Sequence, residues 1–305
     1  MNLLKDLCAL RGVSGDERLV TDFVLKYIGE TEKNWKVQPQ IIHGDQFQEN
    51  IILVFGKKPR TAIFAHLDSI GFTVRYGHQL VKVGGPVLEN DITLVGSDSK
   101  GEIECHLQVD EKERSFGYKF EREIDRGTNL TFKPNFRETK NHVQCCYIDN
   151  RLGVWSALKV AETLEEGIIV FSTREEHGGG AVTYLGKYIQ EKYGVHQALI
   201  SDITWVTEGV KHGNGVAVSM RDRGLPRRVF LNRVLDIAKE SGIPYQLEVE
   251  GSGGSDGLEL QSSPFPWEWV FVGAPEDNVH SPDEKVHKDD IKSMTDLYKL
   301  LMEKL

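Results

Sequence analysis

Runs of consecutive apolar residues, each about the length of one strand, recur along this chain between stretches of helical spacing. Ile51-Ile52-Leu53-Val54-Phe55 and Thr61-Ala62-Ile63-Phe64-Ala65 have no polar face, which predicts strands covered on both sides. Upstream, a short helix is expected over about 2–11. Ser14-Gly15-Asp16-Glu17 has the form of a capping box, and the spacing of Leu19, Val20, Phe23, Val24 and Tyr27 predicts an amphipathic helix behind it.

From about 150 onward helical and strand patterns alternate. Helices are predicted at 151–164, 180–192, 225–241 and 288–304, and strands at 167–172, 197–201, 245–249 and 267–273. This order predicts an α/β fold with a mostly parallel central sheet and helices on both faces. Between 71 and 145 the texture changes to short alternating segments such as Gln79-Leu80-Val81-Lys82-Val83, broken by Gly, Asn and Asp turns. A smaller β-rich domain at 71–145 is expected to interrupt the α/β domain, whose two parts are then 1–70 and 146–305. In Trp267-Glu268-Trp269 the aromatic residues are read as core packing of a strand rather than as the wall of a cleft.

Composition narrows the partners. With 305 residues and a formal net charge of -9, the chain has no basic stripe to displace counterions, so nucleic acid and anionic membranes are excluded as expected partners. The first residues carry charge early and lack the apolar run of a signal peptide, and no stretch has the length of a membrane span. A cytoplasmic protein is expected. Cys8, Cys105, Cys145 and Cys146 have no CxxC spacing and are read as buried, reduced thiols.

The candidate chemistry sits at predicted strand ends. His66 and Asp68 are two apart, so in extended backbone they share a face and the carboxylate can support a metal-binding imidazole. Asp149 precedes a helix, where a bridging carboxylate is tolerated by the helix dipole. Glu175-Glu176 follows a buried strand and enters Gly178-Gly179-Gly180; one carboxylate can bind a metal while its neighbour moves a proton. Asp202 and His280 also fall at predicted strand ends. Two imidazoles with several carboxylates form the inventory of a hydrolytic site for two divalent cations.

Taken in order, several segments resemble the dinuclear metallo-aminopeptidases of the tetrahedral, or TET, type, which include the glutamyl and deblocking aminopeptidases. They include Gly12-Val13-Ser14-Gly15-Asp16-Glu17, Ala65-His66-Leu67-Asp68, Ile148-Asp149-Asn150-Arg151-Leu152-Gly153, Arg174-Glu175-Glu176-His177-Gly178, Ser201-Asp202-Ile203-Thr204, Gly254-Ser255-Asp256-Gly257 and His280-Ser281-Pro282. The resemblance implies that Asp149 bridges two metals, that His66 and Asp202 bind one, and that Glu176 and His280 bind the other. It further implies Glu175 as general acid/base, Asp68 as the carboxylate orienting His66, and Asp256 beside the substrate. Two divalent ions per subunit, Zn or Co, are expected to activate water for removal of N-terminal residues from peptide substrates. A homo-oligomer, dimer or dodecamer, is implied, with contacts through 71–145. The chain departs from the family pattern at Asn150, where a second Asp is usual, at Gly178-Gly179-Gly180, and at Gly213-Asn214-Gly215-Val216. The rival expectations are a glycoside hydrolase, which would need no histidine, and a noncatalytic assembly protein on the same scaffold.

Overall fold

In the computed structural model, which describes residues 1–110, 112 and 114–305, the two-sided apolar strands lie at the centre of an eleven-stranded sheet. Alternate residues of these strands enter different hydrophobic clusters, as a period of two requires. Ile51, Leu53, Ile63, Ala65, Ile169 and Phe171 pack on one face, while Ile52, Val54, Ala62, Phe64, Ile168 and Val170 pack on the other. The helices Arg18–Thr31, Ile148–Ala161, Arg228–Ser241 and Lys288–Lys304 contribute to the first cluster; Val182–Tyr193 and Asp256–Ser262 contribute to the second.

Pairing is parallel through the middle of the sheet, where Gly167–Ser172, Thr61–His66, Gln197–Trp205 and Glu268–Asp277 lie side by side. Both flanks are antiparallel: Ile51–Phe55 on one side, Glu284–His287 and His142–Cys145 on the other. The protein is thus a mixed α/β structure whose parallel strands are central. A second, six-stranded antiparallel sheet spans Gly71–Val74 to Asn129–Phe132 in sequence. Its edges meet at a bridge between Gln79 and Gly117, giving a barrel-like closure. A Cβ on Gly117 would stand 2.2 Å from the carbonyl oxygen of His78, so the closure needs a glycine there. The strands Arg137–Glu138 and His142–Cys145 belong to the large sheet.

Several expectations change. Glu17 is the N-cap of Arg18–Thr31 and makes no side-chain cap bond, so the predicted capping box does not form. Ser14 Oγ instead donates to Asp68 Oδ2, and Glu17 Oε1 accepts from the Gly15 N–H at 2.7 Å. A charged acceptor in the core competes better for the hydroxyl than a helix end does. The first helix stops at Cys8. The strand predicted at 197–201 runs on to Trp205, and that at 267–273 runs to Asp277. Polar residues hide these extensions, but the two strands pair in register from Gln197↔Glu268 to Trp205↔Glu276, so the ladder continues past the apolar run. Val216–Arg221, Glu284–His287 and the short helix Asp256–Ser262 were not foreseen. Trp267 and Trp269 are buried in the second cluster, as core packing predicts. Among the described residues no helix is long and apolar enough to cross a membrane.

Candidate active site

The strand Thr61–His66 delivers His66 to the carboxyl end of the parallel strands, where ligands of open α/β sheets collect. Asp149 enters from the non-helical start of Ile148–Ala161, Asp202 from within Gln197–Trp205, and His280 from the turn between Glu268–Asp277 and Glu284–His287. Glu175 and Glu176 follow Gly167–Ser172. Tyr147, Arg174 and His280 all have left-handed φ near +65°, a conformation that L residues adopt at a cost of order 1 kcal/mol or more and that clusters at functional sites.

The side chains of His66, Asp149, Glu176, Asp202 and His280 converge. His66 Nε2 lies 3.3 Å from Asp149 Oδ1 and 3.5 Å from Asp202 Oδ2; His280 Nε2 lies 3.3 Å from Asp149 Oδ2 and 3.1 Å from Glu176 Oε2. Asp149 therefore faces both imidazoles, one with each carboxylate oxygen. The potential ligand atoms of His66, Asp149 and Asp202 lie within 4.8 Å of one another, as do those of Asp149, Glu176 and His280.

A shell of hydrogen bonds holds this constellation. His66 Nδ1 is 3.2 Å from the Asp68 carbonyl and 3.4 Å from Asp68 Oδ1, acceptors that keep a proton on Nδ1 and turn Nε2 toward the carboxylates, where its lone pair would serve a metal in place of a proton. The Asp68 carboxylate also accepts the N–H groups of Glu175 and Glu176 at 3.0 and 3.1 Å, tying the Glu pair to the histidine strand. Glu284, fully buried, accepts from the N–H of Asp149 at 3.2 Å and of His280 at 3.1 Å. Sequence reasoning missed Ser14 and Glu284 as parts of this shell. For Glu284 a faint signal existed, because it sits four residues after His280.

The departure at Asn150 has a physical account. Its side-chain amide donates to the Ser201 carbonyl at 2.8 Å and its Oδ1 accepts from the Gly153 N–H at 2.9 Å. An ionised Asp could make only the second bond. Asp256, at the start of Asp256–Ser262, is 2% exposed and accepts from Ser172 Oγ at 2.6 Å; its Oδ1 has no hydrogen-bond partner. His177 is exposed and its Nδ1 accepts from the Gly84 N–H. The four cysteines are free and buried.

Charge is crowded here. Burial, with the Asp149 charge behind it, pushes Glu176 up to about 7 against the pull of His280. Burial likewise lifts Asp256 to about 7, and it raises Asp202 and Glu175, with Asp202, Asp256 and Glu176 adding repulsion at Glu175. Burial would lower His280, but Asp149 and Glu176 outweigh it and hold the imidazole at about 11. The same contest, won by Asp202, Asp149 and Asp68, places His66 well above its ordinary value. Asp149 and Asp68 are held low by the imidazoles despite burial.

The residues fit a metal centre. Mixed imidazole and carboxylate donors suit Zn and related divalent ions, and Glu176 Oε1 is buried without a hydrogen-bond partner. Chelated protein is expected to lose thermal stability as pH rises from about 5 to about 8. The raised Glu176 resists ionisation in the fold, while the stabilising charge on His280 is complete below 6.5 and drains away above it. The depressed Asp149 and Asp68 contribute only a loss below their ordinary value of 3.8, outside this window. Melting curves of chelated protein across that range check the sign.

An α/β sheet that gathers histidines and carboxylates in this way defines, with the following likenesses, a protein of the peptidase class. The profile of the M42 glutamyl aminopeptidases matches residues 97–297, more than half of the chain. The chain belongs to that family. It is 26% identical to a protein of Acetivibrio thermocellus named "Putative aminopeptidase", over 99% of this chain and 97% of that one. Its fold matches an aminopeptidase from the archaeon Desulfurococcus kamchatkensis with a TM-score of 0.87, at 20% identity, over 100% of this chain and 94% of that one. It also matches the Pyrococcus horikoshii TET1 peptidase, described as assembling into a tetrahedron or a large octahedral shell, with a TM-score of 0.82 at 20% identity, over 99% and 98% of the two chains. A Thermotoga maritima structure described as an endoglucanase matches with a TM-score of 0.74 at 20% identity, over 98% and 96%.

Proposed function

We propose that this protein is a metal-dependent aminopeptidase that removes N-terminal residues from peptides, with Glu175 as general acid/base. The observation carrying this reading is Asp149, whose two carboxylate oxygens face imidazoles from different parts of the chain. His66 and Asp202 would hold one ion, Glu176 and His280 the other, and Asp149 would bridge them. When bound, Zn or Co would supply Lewis acidity toward a scissile carbonyl and toward water.

The chain's own residues do the rest. Asp68 keeps Nε2 of His66 turned to the site, and Glu284 anchors the backbone of Asp149 and His280. Glu175 lines the same cavity as the ligands, and with bound cations offsetting the burial that raises it, its carboxylate would take a proton from water and return it to the leaving amine. The rival glycosidase would set two carboxyl groups across a sugar without imidazoles. Here Asp149, Glu176 and Asp202 each contact an imidazole, which favours the metal reading. For assembly we favour a homo-oligomer, a dimer or dodecamer, a reading that the shells described for the TET1 relative support; the dimer contact we propose through 71–145 rests on the family resemblance alone.

Removal of metal tests the function. Protein dialysed against a chelator is expected to stop releasing residues from peptides with a free N-terminus, and to recover with Zn or Co. N-acetylated peptides are expected to resist throughout. Full activity after exhaustive chelation would overturn the reading.

A further inference from the structure

We infer that the cavity beside the metal-type residues selects cationic N-terminal residues, lysine and arginine, over leucine and over glutamate. This rests on the aminopeptidase reading and adds the substrate class. The cavity, about 360 Å³, is large enough for a long side chain. The cavity opens beside Glu176, whose Oε1 is buried without a hydrogen-bond partner, so a ligand in it lies against the proposed metal centre.

Beyond the proposed metal ligands and Glu175, the cavity is lined by four further carboxylates: Asp222, Glu248, Glu250 and Glu259. None of them forms an ion pair among the described residues. The one cationic side chain in the lining outside the metal constellation is Arg223, which is exposed. Burial raises Asp222, Glu248 and Glu259, so these carboxyl groups gain most when a cation arrives to favour their ionised form, whereas a glutamyl side chain adds a further buried acid and finds only one solvated guanidinium.

Position matters as much as sign. Thr204 follows Asp202 by two residues in the strand Gln197–Trp205, so it points to the same face about 6.6 Å further along. The Glu248 carboxylate accepts from Thr204 Oγ1 and is 2% exposed. Asp222 is fixed nearby: its Oδ1 accepts from the Gly224 N–H and its Oδ2 from Ser255 Oγ. A substrate whose backbone lies against Asp202 and Asp149 would reach this acidic end with an extended lysine or arginine side chain. The path suits its methylenes, because Trp205, Leu258 and Phe271 line the same cavity.

The test uses metal-loaded protein with the p-nitroanilides of lysine, arginine, leucine and glutamate, and calorimetry with lysinamide, leucinamide and glutamic acid α-amide. Expected kcat/KM for lysine and arginine exceeds that for leucine by about tenfold and that for glutamate by about a hundredfold, the scale of one desolvated ion pair formed or one like-charge approach resisted. In E248Q/E250Q the lysine-to-leucine ratio is expected to fall about tenfold in both turnover and binding. Preference for leucine or glutamate, or an unchanged ratio in E248Q/E250Q, would overturn the inference while leaving an active aminopeptidase. Preferred binding of lysinamide with no hydrolysis of any anilide would support the charge selection and sink the aminopeptidase reading instead.

Discussion

Glu175→Gln is expected to lower kcat on a peptide with a free N-terminus by about 10²- to 10⁴-fold, the range lost when a positioned acid/base is removed. Metal content is expected to stay at the parent level, because Glu175 belongs to neither group of potential ligands. The substitution is close to isosteric and leaves the Glu175 N–H on Asp68, so the loop keeps its anchor. It removes only the ability to accept and return a proton. Burial and the surrounding carboxylates raise Glu175, and bound cations would oppose that shift by adding positive charge. Loss of metal together with activity in Glu175→Gln would mean that the residue is a ligand, and an unchanged kcat would mean that it is a bystander. The assay pairs turnover with metal analysis on the same preparation.

The parts of the fold that the sequence makes legible are those where one periodicity dominates. Ile51–Phe55, Thr61–His66 and Gly167–Ser172 are apolar on both faces and could be read as central strands; Lys288–Lys304 has uninterrupted helical spacing. Val216–Arg221 and Glu284–His287 were hidden because each pairs with the long strand Glu268–Asp277, so their stability comes from a partner distant in sequence. Ser14 was misread for a related reason. Locally it has a helix-capping pattern, but a carboxylate 54 residues away takes its hydroxyl.

The site was legible in a different way. No spacing rule joins His66, Asp149, Glu175, Glu176, Asp202 and His280; what could be read was that each follows or ends a segment of strand. The topology then brings them together, since parallel neighbours end at the same edge. The hidden residues are those that act through the backbone. Glu284 holds two N–H groups and Asn150 holds a carbonyl, and main-chain partners leave no residue-type signature in sequence.

Asp149→Ala is expected to abolish activity and to reduce bound Zn or Co from about two ions per chain to below one, because one side chain serves both groups of donors. Asp202→Ala and His280→Ala each strip a single group and are expected to keep about one ion. The contrast follows from charge as well as from geometry. Asp149 is the carboxylate that both imidazoles hold in its ionised form, whereas Glu176 and Asp202 are pushed toward neutrality by burial. Without Asp149 each remaining pair has one imidazole and one carboxylate, too few donors for a closed protein site. Rates are expected to fall by about 10³-fold or more in Asp149→Ala. Metal analysis after equilibrium dialysis, with circular dichroism to verify folding, checks the order. If Asp149→Ala retained as much metal as Asp202→Ala, Asp149 would serve one ion and the bridging assignment would fail.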